Sequence, residues 1–473
     1  MPTRGSVLVD TPLTNKLWND AIVEDPKSGV GISGTHTALL GAANAFAAEG
    51  WHTYVAGSVT APPAAGRRVK NNPLEYVHVE DRKQPPRINA TDFTIVANLL
   101  KQTKVFARVD TAHLAVLMEM QSFPPADEET LRRYVDAQRA RYPGFRVTFC
   151  HLSSWGRDAL KRWVARSDDS KRLNGWMSPA LSPTAGSSWV RHVDFFNPVS
   201  LRWVRRAHED AVQQRLVRNE HSFLFPACLE RGGAMAARVY AALRPRWQRN
   251  GMNPTATFAS YATSRLSIEE EVAIKRHAGT SSDVVITGMS KTRLMRQMQV
   301  SGFFVYALVS KRGAVHLDTF ANVIAECLAA GVLVLVPPVA ALTELFAGLV
   351  TFVTPPGGSM PAAFASAIKP PIVPELNSQA MMRQYVAAID LLMANATRRE
   401  ELRERGRRGV AAKFGERRAM RALYQKLTLR SVMSVEKTHS TEMKNPGFLE
   451  RLSWLRSRNR RGARSEEEKT TRI

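Results

Sequence analysis

Short apolar runs, bounded by turn-forming residues, alternate with helix-like patterns over most of the chain. The chain begins with the pattern of a βαβ unit. Its predicted parts are a strand at Ser6–Val9, a glycine-containing loop at Ser28–Gly34, a helix from Thr37 to Gly50 and a strand at Trp51–Ala56. The other strands predicted in this half are Glu75–Val79, Phe93–Asn98, Val105–Val109 and Phe145–Cys150, and the region ends near Trp189–Phe196.

A second alternating series starts at Ser222. Its predicted strands are Phe223–Ala227, Thr255–Tyr261, Val284–Gly288, Phe303–Leu308, Val332–Val336 and Val350–Val353. Alternating strands and helices are typical of a parallel sheet covered on both faces. Two such series in tandem therefore predict an α/β protein of two doubly wound, Rossmann-like domains that face each other across a cleft.

The predicted boundaries follow from these patterns. Residues 1–200 form the first domain, 201–395 the second, 396–430 a set of closing helices that cross back, and 431–473 a basic tail. A chain of 473 residues is longer than one hydrophobic core usually supports, which agrees with two domains.

Charge and cysteine usage narrow the class of protein. The net charge is +24, a balance that favours anionic partners, but much of the excess lies after Thr397. Cys150, Cys228 and Cys327 are far apart and lack metal-ligand spacing, which fits a reducing, cytoplasmic compartment. The N-terminus has no apolar signal-peptide segment, and the longest apolar stretch, Val323–Val350, is interrupted by acids and prolines.

The segment from His316 to Gly331 carries the most chemical information. Asp318 falls in a loop, and Glu326 follows eight residues later within the next predicted helix. If Thr319 caps that helix, its first N–H groups point to whatever lies beside Asp318. A helix N-terminus binds phosphate groups, and carboxylates bind sugar hydroxyls through charge-assisted hydrogen bonds. One strand–loop–helix unit thus contains both groups needed to hold a sugar nucleotide.

This segment resembles the acidic pair, separated by seven residues, of group 1 retaining glycosyltransferases. In that family Glu-x-Phe-Gly leads into a helix of the form Glu-Ala-x-Ala-x-Gly. Here Asp318 stands at the first acid, Thr319 and Phe320 match, and Glu326 matches the second acid. The resemblance implies the two-domain GT-B fold and sugar transfer with retention, without a metal ion or other cofactor. It also implies that Asp318 contacts the donor sugar and Glu326 the ribose.

Other stretches resemble the family in the same order, over residues 5–430. Gly29 and Gly31 are similar to its first glycine-rich loop, where a backbone without Cβ approaches a ligand closely. His113 resembles a histidine that some relatives place beside the donor sugar. The stretch from His192 to Pro198 is similar to the crossover between the two domains.

The phosphate-binding loop departs from the family. Relatives carry an arginine and a lysine after the first strand of the second domain. Here the matching stretch is Ala227–Gly233, with cysteine in place of the arginine and glycine in place of the lysine. We expect Arg231 to take over the neutralisation of the donor diphosphate, with Arg238 as a weaker substitute.

The expected partners are a nucleotide-diphosphate sugar and a glycan, lipid or protein acceptor. The segment Gly447–Arg464 contains six arginines and the apolar spacing of a basic amphipathic helix, which predicts peripheral membrane contact. The core shows no recognised nucleic-acid motif, so we expect no specific nucleic-acid binding. Two alternatives remain open: a nucleotide-sugar-binding protein that has lost transfer activity, and a nucleotide-sugar epimerase.

Overall fold

The computed structural model describes residues 5–11, 34–57, 74–78, 90–97, 106–118, 125–166, 189–199, 201–259, 265–279, 282–287, 289–310, 315, 320–356, 373–415 and 418–427. The chain divides into two compact units, Met1–Tyr424 and Gln425–Ile473. Both predicted domains fall within the first unit. Of the second, only residues 425–427 are described, and they are helical.

The first sheet is parallel and has the strand order β3-β2-β1-β4-β5-β6-β7. Apolar side chains fill its central strands because helices cover both faces of such a sheet. Val7, Ile95, Val116 and Phe149 are completely buried. The strands are β1 (Ser6–Asp10), β2 (His52–Gly57), β3 (Leu74–His78), β4 (Ala90–Ala97), β5 (Asp110–Met118), β6 (Arg146–His151) and β7 (Val190–Asp194).

The second sheet is also parallel, with the order β10-β9-β8-β11-β12-β13. Its strands are β8 (Asn219–Phe225), β9 (Thr255–Ala259), β10 (Val284–Thr287), β11 (Ser301–Val305), β12 (Leu333–Val336) and β13 (Thr351–Phe352). The strand order reverses between β8 and β11. The predicted architecture of two doubly wound parallel sheets is thus confirmed.

Helices connect the strands, as parallel pairing requires. In the first domain these are α1 (Gly34–Ala48), α2 (Pro125–Arg141) and α3 (Ser154–Arg166), and α4 (Leu201–Gln213) follows the crossover. The second domain contains α5 (Gly233–Arg249), α6 (Arg265–Ala278), α7 (Lys291–Val300), α8 (Asn322–Ala329) and α9 (Leu342–Leu345). The last two are α10 (Gln379–Met393) and α11 (Ala396–Phe414), and residues 418–427 are also helical.

One predicted strand is wrong. Phe106–Arg108, within the expected strand Val105–Val109, is a short 3₁₀ helix, and the strand begins at Asp110. The backbone N–H of Phe106 donates to the buried carboxylate of Asp10 at 2.7 Å, a bond that takes the place of strand pairing. The longer apolar run that ends at Met118 forms β5 instead.

The chain crosses back to the first domain after α11. Val199, directly after the crossover stretch, pairs in parallel with Gly415, and its N–H donates to the carbonyl of Phe414 at 2.8 Å. Further on, the indole of Trp51 lies 3.3 Å from the Tyr424 hydroxyl. The predicted return of the C-terminal helices is therefore confirmed.

The basic segment Gly447–Arg464 lies outside the described residues. No helix of the described part of the chain is long and apolar enough to span a membrane.

Candidate functional site

The strand order of the second sheet reverses between β8 and β11. In doubly wound proteins, ligands bind at the carboxyl ends of the strands beside the point of reversal. The loops that follow these two strands contact each other. The N–H of Leu308, after β11, donates to the carbonyl of Arg231, after β8, at 2.9 Å. Leu308 is buried and has a φ of 57°, a conformation that non-glycine residues rarely adopt. Strained backbone of this kind is concentrated at functional sites.

Arg231 lies at this carboxyl edge. Its Nη1 is 3.2 Å from the hydroxyl of Tyr306, the residue directly after β11, and the side chain is partly buried. Tyr306 itself is fully buried, so its hydroxyl offers Arg231 a fixed contact. The structure thus places the predicted cation beside the point where the strand order reverses.

The N-terminus of α5 lies next to Arg231. Gly232 has a φ of 116°, and a Cβ added to it would approach the Cβ of Ala307 to 2.9 Å. This glycine therefore allows the two loops to meet. Because α5 begins at Gly233 with no side-chain cap, its first N–H groups favour an anion at this edge. Arg238, the weaker predicted substitute, donates instead to the Asn377 carbonyl at 2.8 Å and ties α5 to the short 3₁₀ helix Pro374–Asn377 before α10.

Phe320 belongs to an aromatic cluster. Its ring centroid lies 5.1 Å from that of Phe414 and 5.9 Å from that of Phe346, and 8% of the residue is exposed. Phe196 of the crossover contacts Phe414 from the other side, at 5.4 Å. Phe320 therefore anchors the start of α8 to the end of α11. Its predicted contact with substrate remains untested.

Asp318 and Thr319 lie outside the described residues, as do Gly29 and Gly31. The N-cap position of α8 is Ala321, which makes no side-chain cap bond, so Thr319 precedes the cap by two positions. Capping of this helix by a side chain is thus not seen at its N-cap residue.

Glu326 projects from the second turn of α8 and forms an ion pair with a residue far away in the sequence. The ammonium group of Lys291 contacts its Oε1, and the two side chains are 13% and 9% exposed, respectively. Lys291 is the first residue of α7, so it too follows the carboxyl end of a strand, β10. Its Nζ also lies 5.7 Å from the centre of the Trp203 ring, within the range of a cation–π interaction.

His113 is placed elsewhere. It is the fourth residue of β5, its Nε2 lies 2.8 Å from the Thr148 hydroxyl, and its ring packs against Phe93 with centroids 4.8 Å apart. Burial, reinforced by Arg191 and Arg146, lowers its pKa to about 3. The structure does not bring His113 together with Glu326 or Arg231. His113 is therefore packed inside the first sheet, and its contact with the donor sugar stays a prediction.

Lys291 and Tyr306 are the site residues that sequence reasoning missed. Lys291 follows Ser290, whose hydroxyl accepts the Arg293 N–H at 3.4 Å, so a helix start was recognisable there. Nothing local connects Lys291 with a carboxylate 35 residues away. Among the described residues, no group of three His, Cys, Asp or Glu side chains has the geometry to hold a metal ion.

Two doubly wound parallel sheets with a returning C-terminal helix define the GT-B fold. No protein-family model and no curated protein matches the sequence. Known structures match the fold at low identity. Sucrose-phosphate synthase from Thermosynechococcus elongatus is 13% identical, with 91% of this chain and 100% of that chain covered and a TM-score of 0.55. HepE from Anabaena, in complex with UDP and glucose, is 11% identical over 90% and 100% of the two chains, with a TM-score of 0.52.

A third similar structure is WaaG, a glycosyltransferase involved in lipopolysaccharide biosynthesis. It is 11% identical over 89% of this chain and 99% of that chain, with a TM-score of 0.51. The similarity covers 89% to 91% of this chain and 99% to 100% of the other chains, so the likeness in fold extends over both sheets.

Proposed function

We propose that the chain is a glycosyltransferase that moves a sugar from a nucleotide-diphosphate sugar to an acceptor with retention of anomeric configuration. The observation that carries this proposal is the arrangement at the carboxyl edge of the second sheet. Arg231 lies where the strand order reverses, and the buried carboxylate of Glu326 lies on a helix that begins at the same edge. HepE, which shares the fold, has been crystallised with UDP and glucose.

Each residue has a distinct task in the proposed reaction. Arg231 and the N-terminus of α5 stabilise the charge on the departing nucleotide diphosphate. Glu326 accepts hydrogen bonds from the ribose hydroxyls, and Asp318 contacts the donor sugar. The acceptor enters from the face that the diphosphate leaves, and exclusion of water by the two domains protects the oxocarbenium-like transition state.

The importance of Arg231 follows from a comparison of interaction energies with the donor diphosphate. One cation near a diphosphate oxygen contributes on the order of 4 kcal/mol at an effective dielectric of about 20. A helix N-terminus contributes about 0.3–1 kcal/mol, and up to roughly 2 in partly buried geometry. The dipole of α5 therefore cannot replace the arginine and lysine that group 1 glycosyltransferases carry in this loop. Arg231 replaces one of these two cations.

The test begins with thermal unfolding of the purified chain against a panel of nucleotide-diphosphate sugars. Saturation at 100 times the dissociation constant stabilises the native state by about 2.7 kcal/mol. The donor that binds is then assayed for release of nucleoside diphosphate, with and without EDTA, and NMR of the product reports the anomeric configuration. Glu326→Ala and Arg231→Gln should abolish or strongly reduce turnover. Glu401→Ala, which removes an exposed carboxylate on α11, should not.

A second candidate function is nucleotide-sugar binding without transfer. The missing arginine and lysine in Ala227–Gly233 favour it. Donor binding with no release of nucleoside diphosphate, in the presence of a broad acceptor mixture, would support this candidate against the enzyme.

A further inference from the structure

We propose that Lys291 is a positioning residue of the nucleotide site, which holds one oxygen of Glu326 so that the other accepts a hydrogen bond from the ribose. The inference rests on the proposed role of Glu326. Its starting point is the ion pair between Lys291 Nζ and Glu326 Oε1, whose partners come from the first turn of α7 and the second turn of α8.

Three interactions fix the position of Lys291. Its backbone opens a helix that the Ser290 hydroxyl caps. Its ammonium group contacts Glu326 on one side and lies 5.7 Å from the Trp203 ring centre on another. With its side chain 13% exposed, the lysine is packed as part of the domain rather than extended into solvent.

The second oxygen of Glu326 is differently placed. Among the described residues, the hydrogen bond to Glu326 engages Oε1, and none reaches Oε2. A carboxylate held in this way has one oxygen fixed and one available to a ligand.

The positive charge of Lys291 compensates the buried carboxylate of Glu326. A carboxylate buried without a counter-charge carries a large desolvation penalty and tends to be neutralised. Lys291 holds Oε1 of Glu326 in one orientation, so that a ribose hydroxyl can donate a charge-assisted hydrogen bond to Oε2. Direct contact of Lys291 with the donor diphosphate is the competing role. It is disfavoured because the ammonium group is already engaged by Glu326 and packed on Trp203.

The two roles predict different ligand dependence. Binding is measured by calorimetry for UDP, ADP and GDP, and then for the 2′,3′-dideoxy form of the one that binds most tightly. The wild-type protein should prefer the ribose form by about 10- to 100-fold, the strength of a hydrogen bond to a charged group. Lys291→Met should remove most of this preference and leave the affinity for the dideoxy form within about threefold of the wild-type value.

Three further variants complete the test. Glu326→Gln should lose the same preference, and the double variant Lys291→Met/Glu326→Gln should lose no more than either single change, because the two residues act through one bond. Lys291→Arg should restore part of the preference. Lys275→Met breaks an exposed lysine–glutamate pair on α6 and should change nothing.

The unfolding temperature of each variant serves as the folding control. The double variant removes both charges and so avoids an unpaired buried carboxylate, which keeps the test valid if Lys291→Met unfolds. An unchanged ribose preference in Lys291→Met overturns the inference, and so does an equal loss for the ribose and dideoxy forms. If the wild-type protein binds none of the three nucleotides and no nucleotide-diphosphate sugar of the thermal-unfolding panel, the proposed function itself fails.

Discussion

The N-terminus of α3 in the first domain is completed by a carboxylate from the second. Glu344, on α9, accepts the Ser154 N–H at 3.0 Å, the Ser154 hydroxyl at 2.8 Å and the Trp155 N–H at 3.1 Å. The next N–H, that of Gly156, is held at 3.0 Å by the Ser153 hydroxyl from within the same domain. Glu344→Ala therefore removes a contact between the two domains while it leaves the local cap of α3 in place.

The magnitude follows from helix capping. Loss of a capping side chain costs about 0.5–2 kcal/mol, and an anion at a helix N-terminus adds about 0.3–1 kcal/mol. Glu344 is exposed, so screening keeps its contribution toward the lower part of this range. We expect a total of about 1–2 kcal/mol, which corresponds to a change of about 5- to 30-fold in the population that has lost the contact.

Amide hydrogen exchange measures this population directly. In Glu344→Ala the Ser154 and Trp155 amides should exchange about 5- to 30-fold faster, whereas Gly156 should change much less. In Glu344→Gln the exchange rates of these two amides should lie between those of the wild-type protein and of Glu344→Ala. High salt should reduce the difference in rate between the wild-type protein and Glu344→Ala. Thr343→Ala, at the exposed neighbouring position, is the matched control. Unaltered exchange of Ser154 and Trp155 in Glu344→Ala would refute the reasoning.

Two other predictions concern stability. The buried His113 has its pKa lowered to about 3, so it stays neutral in the folded chain at pH 5. In the unfolded chain the same histidine binds a proton below about pH 6.5. The free energy of unfolding should therefore fall by about 2 kcal/mol between pH 7 and pH 5. Urea unfolding at both pH values should show a smaller pH effect for His113→Gln, and an equal effect would contradict the assignment of a buried neutral histidine. Gly232→Ala should destabilise the chain by about 1–3 kcal/mol, because the new Cβ meets Ala307. Gly251→Ala, also at positive φ but with open space around it, should cost less, and equal urea midpoints for the two variants would exclude the steric explanation.

The strands of both sheets were largely predictable because most of them are buried on both faces and appear as short apolar runs. The run Val332–Val336, for example, forms β12 over Leu333–Val336. Prediction failed at Val105–Val109, where two apolar runs follow each other closely and the stronger one became β5. Because β5 runs from Asp110 to Met118, His113 lies within a strand and is buried, a position that the predicted strand Val105–Val109 did not indicate.

The candidate site was predictable in part. Glu326 was identified from residue type and spacing within one strand–loop–helix unit, and Arg231 from its place in the loop that resembles the family's phosphate-binding stretch. Both lie on segments that follow the carboxyl edge of the second sheet. Spacing says nothing about partners from other units. Tyr306 beneath Arg231 and Lys291 beside Glu326 became neighbours only when strands far apart in the chain paired in the sheet.

By itself, the sequence determined the order of strands and helices and the parallel, two-domain architecture, because burial of short apolar runs is a local property that leaves a periodic pattern. The tertiary structure alone decided which charges meet. The engagement of Glu326 by Lys291 and of the α3 N-terminus by Glu344 depends on how separate helices pack, over distances of 35 and 190 residues along the chain. Interactions of this range leave no periodic trace in the sequence, because each partner is a single polar residue whose neighbours do not reveal it.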